Sequence, residues 1–138
     1  MMELLKRKNF SSGAPFEEKA GYSRAVKIGN MVFVGGTTTT TPDGVVEAEG
    51  DAYGQTKIIL QKIEQALKQA GARLSEVYRI RMYVTDISRG PEYMRAYSEF
   101  FKDIKPVITV AEVSALARPA HLVEIEADAM LGSYLVTT

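Results

Sequence analysis

The chain has no cysteine and no tryptophan, and His121 is its only histidine. Disulfides and thiolate chemistry are therefore excluded, a structural zinc site lacks its usual ligands, and any metal would have to draw on carboxylates alone. Net charge is also missing, because 17 basic and 17 acidic residues cancel. That removes the chain-wide attraction on which nonspecific nucleic-acid binding depends. The one basic run, Lys6, Arg7 and Lys8, reads as a solvated edge. No apolar stretch approaches the roughly 18 residues of a membrane span, and the first ten residues hold too short an apolar run for a secretory signal. The expectation is a cytoplasmic protein with neither membrane nor nucleic-acid partners. There is no GxSxG elbow, no glycine-rich phosphate loop with its lysine, no HExxH helix and no dinucleotide fingerprint. The common nucleophile, nucleotide and zinc classes thus have no support.

What is present suits one ordinary domain over residues 1–138, since 46% apolar composition is enough to bury a single core. Ala25 to Ile28 and Met31 to Thr40 read as two strands joined at Gly29 and Asn30, and Pro42, Asp43 and Gly44 form a turn beyond them. From about Asp51 to Ala70, Ile59, Ile63, Ala66, Leu67 and Ala70 recur at helical spacing, with Gly71 as the stop. Val77 to Thr85 alternates, with Ile80, Met82 and Val84 on one face and Arg79, Arg81 and Tyr83 on the other. Pro91 opens a second helix whose Tyr93, Met94, Tyr97, Phe100, Phe101 and Ile104 are suited to cover a sheet, and Pro106 follows it. Two strands near Val107 to Ser114 and Leu122 to Met130 complete the chain, joined through Arg118 and Pro119 by a hairpin or a longer connection. The predicted order is β-β-α-β-α-β-β. Two helices on one face leave the other sheet face uncovered, and self-association is the economical way to cover it.

Residues Pro106 to Ile125, PVITVAEVSALARPAHLVEI, carry the most informative pattern. With Gly21, Tyr22 and Ser23 before Ala25 and Val26, the run Gly29 to Val34 ending at Gly36, and Thr85 with Asp86, this stretch resembles the RidA/YjgF family, also called endoribonuclease L-PSP-like. The resemblance runs from about Ala20 to Met130. It implies an α+β, chorismate-mutase-like fold assembled as a homotrimeric barrel with small-molecule clefts between subunits. It also implies cofactor-free hydrolysis of reactive imines or enamines, such as 2-iminobutanoate, to a keto acid and ammonia. Its endoribonuclease label gains nothing here from charge or motif.

On that pattern Glu124 matches the acid/base glutamate, while Tyr22, Gly36, Thr37, Ile108 and Val110 fall at substrate-binding positions. Ile108 stands where the family has the arginine that grips the substrate carboxylate. Loss of such a buried pair costs about 2–5 kcal/mol, so activity on 2-iminobutanoate is expected to be weak or absent. Ile108 and Val110 share a strand face, which suggests a greasier pocket for a less anionic or larger ligand. Arg24, Arg81 and Arg118 are the cations available to substitute. Each position has a plainer alternative. Glu124 is one of an outward row with Glu126 and Asp128, Tyr22 suits an interface, Gly36 suits a bulge, Ile108 suits a trimer seam, and His121 reads as a solvated loop residue or a partner for the proton of Glu124. Two functions follow: an imine, enamine or related C–N hydrolase with altered specificity, or a trimer that binds a small metabolite without turnover.

Overall fold

A computed structural model describes residues 2–137. Its elements are β1 (Arg7–Phe10), α1 (Pro15–Ala20), β2 (Ala25–Ile28), β3 (Met31–Thr37), α2 (Ala52–Gln69), β4 (Val77–Val84), α3 (Gly90–Phe101), β5 (Val107–Glu112) and β6 (Val123–Met130), with short 3₁₀ turns before β4 and before α3. The six strands form one sheet in the order β1-β2-β3-β6-β4-β5. All neighbours are antiparallel except β4 and β5. This is the α+β, chorismate-mutase-like architecture that the sequence implies, with two elements added at its start.

The predicted order lacks β1 and α1. Strand β1 reads Arg-Lys-Asn-Phe and stays largely exposed, so it has no apolar alternation to announce it. It pairs with β2 from Arg7 opposite Ile28 to Phe10 opposite Ala25, and its charged side chains blunt an outer sheet edge. Helix α1 has only six residues, with Pro15 in its first turn and Gly21 (φ 89°) at its end. That is too short for a helical period to show.

The two long helices form where their periodicity places them. Asp51 accepts the amide of Gly54 at 2.8 Å to open α2, and Gly71, at φ 82°, lets the chain leave it. Ile59, Leu60, Ile63 and Leu67 from α2 are fully buried, as are Tyr93 and nearly all of Phe101 from α3. Met94 departs from its expected place on the covering face and is 36% exposed. The helices pack on the sheet face made by Val32 and Val34 of β3, Ile80, Met82 and Val84 of β4, and Val123, Ile125, Ala127 and Ala129 of β6. Alternation therefore puts Glu124, Glu126 and Asp128 on the opposite face.

Two connections differ from simple hairpin expectations. Strands β5 and β6 do not pair, because β4 lies between them, so the Arg118 loop is a longer connection. Strand β3 ends at Thr37 rather than Thr40. Val34 pairs with Ala127 and Thr37 with Ile125, so three steps on β3 face two on β6, and Gly35 and Gly36 hold the bulge. Beyond it, the carbonyls of Thr38 and Thr40 accept from Lys62 Nζ at 2.5 and 3.1 Å instead of from a strand neighbour.

Candidate functional site

The bulge brings Gly36 under Glu124. A Cβ added to Gly36 would lie 2.6 Å from Glu124 Oε2 and 3.0 Å from its Cδ, so glycine is required for the carboxyl to sit where it does. The two line one cavity of about 490 Å³, whose wall also includes Tyr22, Arg24, Thr38, Thr40, Lys62, Arg118 and His121. The row of three acidic residues on β6 thus divides. Glu126 and Asp128 lie 3.4 and 3.3 Å from Arg81, and Tyr83 donates to Glu126 at 3.1 Å. Glu124 has no side-chain hydrogen bond or ion pair among the described residues, and it opens to the cavity. Burial pushes its carboxyl above the ordinary glutamate range, with Arg24 offsetting and Glu126 reinforcing the shift.

Arg24 is the cation nearest this chemistry. It donates through one guanidinium nitrogen to the Gly36 carbonyl at 2.7 Å and to Thr37 Oγ1 at 2.9 Å. Its Nε lies 3.8 Å from Glu17. Glu17 is buried, accepts from Ser11 Oγ at 2.8 Å and the Ser12 amide at 3.0 Å, and is also bonded by the Ser12 hydroxyl. Burial works to raise its pKa, but these hydrogen bonds and Arg24 outweigh it, leaving Glu17 below the ordinary range and ionised at neutral pH. The first segment of the chain, from Ser11 through α1, therefore holds Arg24 in the cavity wall.

Of the six expected site residues, Glu124, Tyr22 and Gly36 meet at this cavity. Thr37 is fully buried beneath it, and its hydroxyl holds Arg24 instead of lining the wall. Ile108 and Val110 do not line it. They sit opposite Ile80 and Met82 on edge strand β5, packed against the core on the helix-covered face. Strand alternation separates them from Glu124 within one chain. Among the three candidate cations, Arg24 and Arg118 reach the cavity, whereas Arg81 is occupied along the sheet by Glu126 and Asp128.

His121 is buried rather than solvated. Its Nε2 lies 2.6 Å from Thr40 Oγ1, and its Nδ1 is buried with no partner among the described residues. Burial, with Arg118 and Lys62 nearby, pushes its pKa down, so the ring is neutral at pH 7. Lys62 is the residue that sequence reasoning missed. It lies on α2 between Ile59 and Ile63, where a lysine reads as part of the solvent face. Burial and Arg24 push its ammonium below the ordinary lysine range, and Glu47 offsets part of that. Among the described residues, no cluster of three or more histidine and carboxylate side chains is arranged to hold a metal ion, and no helix is long and apolar enough to cross a membrane.

Known proteins resemble this chain in sequence and in fold. The family model described as endoribonuclease L-PSP matches residues 13–131. A RutC family protein of Pyrococcus abyssi is 36% identical over 119 residues, covering 83% of this chain and 93% of the relative. The 3-aminoacrylate deaminase RutC of Acinetobacter baylyi is 31% identical over 106 residues, covering 77% and 83%. Among solved structures, a Mycobacterium tuberculosis member of the YjgF/YER057c/UK114 family superposes with a TM-score of 0.82 at 48% identity, covering 91% of this chain and all of the other. The matched region holds the whole cavity apart from Ser12, and the chain belongs to the endoribonuclease L-PSP family, known equally as RidA/YjgF.

Proposed function

We propose that this chain works as a single-domain, cytoplasmic, cofactor-free deaminase of a small imine, enamine or related C–N metabolite, with Glu124 as its acid/base group. The observation that carries this reading is the Glu124 carboxyl, without a partner among the described residues, seated on Gly36 in the cavity with its pKa raised by burial. A carboxyl poised nearer neutrality is suited to give and take a proton at working pH. Protonated Glu124 donates to the substrate nitrogen as water adds to the C=N carbon. The resulting carboxylate takes the extra proton of the added water to give a carbinolamine, returns it to the amino nitrogen as the C–N bond breaks, and takes the remaining hydroxyl proton, leaving a carbonyl product and ammonia. Arg24, anchored by Glu17 and Thr37, supplies the nearby positive charge that stabilises the ionised state. The deaminase activity named for the Acinetobacter relative belongs to the same reaction class.

The same reading includes a homotrimer. Edge strand β5 and the open sheet face, where Phe33 is 36% exposed, are surfaces that a neighbouring subunit would cover. In such an assembly Ile108 and Val110 approach a site through the seam rather than within their own chain. With no donor at Ile108, substrate specificity differs from that of family members carrying arginine there.

Coupling the purified protein to an amino-acid oxidase and following imine loss tests the reaction. Acceleration that Glu124→Gln abolishes is the expected result. Tight metabolite binding without turnover, unchanged by Glu124→Gln, would establish instead a binding trimer. Sedimentation at a mass of three chains checks the assembly.

A further inference from the structure

Three cations face this cavity, and two of them have no anionic partner. Glu17 is engaged by Ser11, Ser12 and Arg24, and Glu124 stands free with its ionisation disfavoured. Lys62 makes no ion pair among the described residues. Its Nζ donates to two neutral carbonyls, Thr38 O and Thr40 O, which aim the ammonium and leave one of its three N–H donors unused. Arg118 likewise has no ion pair among the described residues, and one of its guanidinium nitrogens is tied to the Gly44 carbonyl. The second terminal nitrogen of Arg24 has no hydrogen-bond partner among the described residues, since the bonds to Gly36 and Thr37 both run through the first. Positive charge held in a half-buried cavity, offset only in part by Glu47 at Lys62 and by Glu17 at Arg24, favours an anionic ligand.

We propose that Lys62, flanked by Arg24 and with Arg118 at the rim, is the carboxylate-binding subsite of this cavity, so that the substrate is a small C–N compound bearing a carboxylate held by cations of the same chain that supplies Glu124. This rests on the deaminase reading of Glu124 and assigns which residues of this chain hold the anionic end of the substrate. It also changes the meaning of Ile108. The anion grip is relocated from strand β5 to helix α2, and the expectation of a less anionic ligand gives way to one of an anion bound in a different orientation. A cavity of about 490 Å³ has ample room for a small-molecule acid. Guanidinium and ammonium groups hold carboxylates and phosphates alike, so inorganic phosphate is the competing occupant in the test.

Calorimetric binding of 2-oxobutanoate, its neutral amide and inorganic phosphate to the full chain tests this. The expected result is saturable binding of the oxo acid, with the amide and phosphate at least about 30-fold weaker. Lys62→Met is expected to weaken oxo-acid binding by about 30-fold or more. Because Lys62 also holds the Thr38 to Thr40 segment, Arg118→Gln serves as the second variant, with several-fold weakening and unchanged melting. Glu124→Gln is expected to bind the oxo acid at least as well as the wild type. Equal binding of acid and amide, preference for phosphate, or full binding by both Lys62→Met and Arg118→Gln overturns the subsite. If the oxo acid binds as described but no imine is hydrolysed, the subsite stands and the deaminase reading falls. If imines are hydrolysed with KM unchanged in both cation variants, the deaminase reading stands and the subsite falls.

Discussion

Alanine at position 36 is the smallest change that reaches the proposed chemistry. The new methyl would lie 2.6 Å from Glu124 Oε2, and ordinary contact begins near 3.4 Å, so the oxygen has to move by at least about 0.8 Å. Gly36 is not among the positive-φ residues, so alanine adopts its backbone without strain. The displacement therefore falls on the carboxyl. Misplacing a catalytic group by about 1 Å costs on the order of 100-fold in rate, or about 2.7 kcal/mol in transition-state stabilisation. Gly35 supplies the control: a Cβ there meets its nearest neighbour, the Arg24 carbonyl, at 3.7 Å, an ordinary contact. In the oxidase-coupled assay, Gly36→Ala is expected to lose about 100-fold in kcat/KM while melting within about 2 °C of the wild type, and Gly35→Ala to stay within about threefold. Wild-type turnover by Gly36→Ala, or equal losses in both variants, refutes the reasoning that the seat of Glu124 on Gly36 matters to the reaction.

Other consequences concern stability. Because burial raises the folded pKa of Glu124, its ionised form is disfavoured by the fold, and stability falls as pH rises from the ordinary glutamate range through that raised value. Glu124→Gln is therefore expected to melt higher than the wild type at pH 8, with the gap closing on acidification, as a pH series of melting curves would show. Buried Glu76 accepts the amides of Arg73 at 2.9 Å and Gly132 at 2.7 Å, tying the α2–β4 connection to the end of β6. The Gly132 bond foremost holds its pKa below the ordinary range, so its contribution is full above that range and is lost as pH falls through the depressed value. Glu76→Ala should cost about 2 kcal/mol in urea titrations at pH 7 and less at pH 3. Leu67 is fully buried between α2 and the sheet, and Leu67→Ala should cost about 2–5 kcal/mol by the same measurement.

The sequence displayed those parts of the fold that repeat. Helix α2 shows Ile59, Ile63 and Leu67 at helical steps, and β4 alternates Ile80, Met82 and Val84 with Arg79, Arg81 and Tyr83, so both could be drawn before the structure. Strand β1 and helix α1 could not, because one is charged along both faces and the other is a turn and a half long. At the site, Glu124, Gly36 and Tyr22 were legible through their motifs. Arg24 was visible only as a nearby cation, since its direction depends on Glu17, which lies outside the motifs, and on Thr37, which the pattern marks as a substrate contact and not as an anchor. Lys62 was hidden by the rule that serves α2 well. A lysine on a helical solvent stripe reads as surface, and only the bulge after Val34, which swings Thr38 and Thr40 toward it, turns that stripe into a cavity wall. Ile108 and Val110 show the converse, with their strand face correctly read and their distance from Glu124 within one chain set by sheet order.

The proposed deaminase chemistry depends most directly on the protonation of one carboxyl. Carbon-13 NMR titration of the Glu124 side chain, assigned through Glu124→Gln, measures it in the intact protein. The expected result is an apparent pKa above that of an ordinary glutamate, falling back when Gly36→Ala moves the carboxyl from its seat; an ordinary or depressed value in the wild type would contradict the proposed role of Glu124.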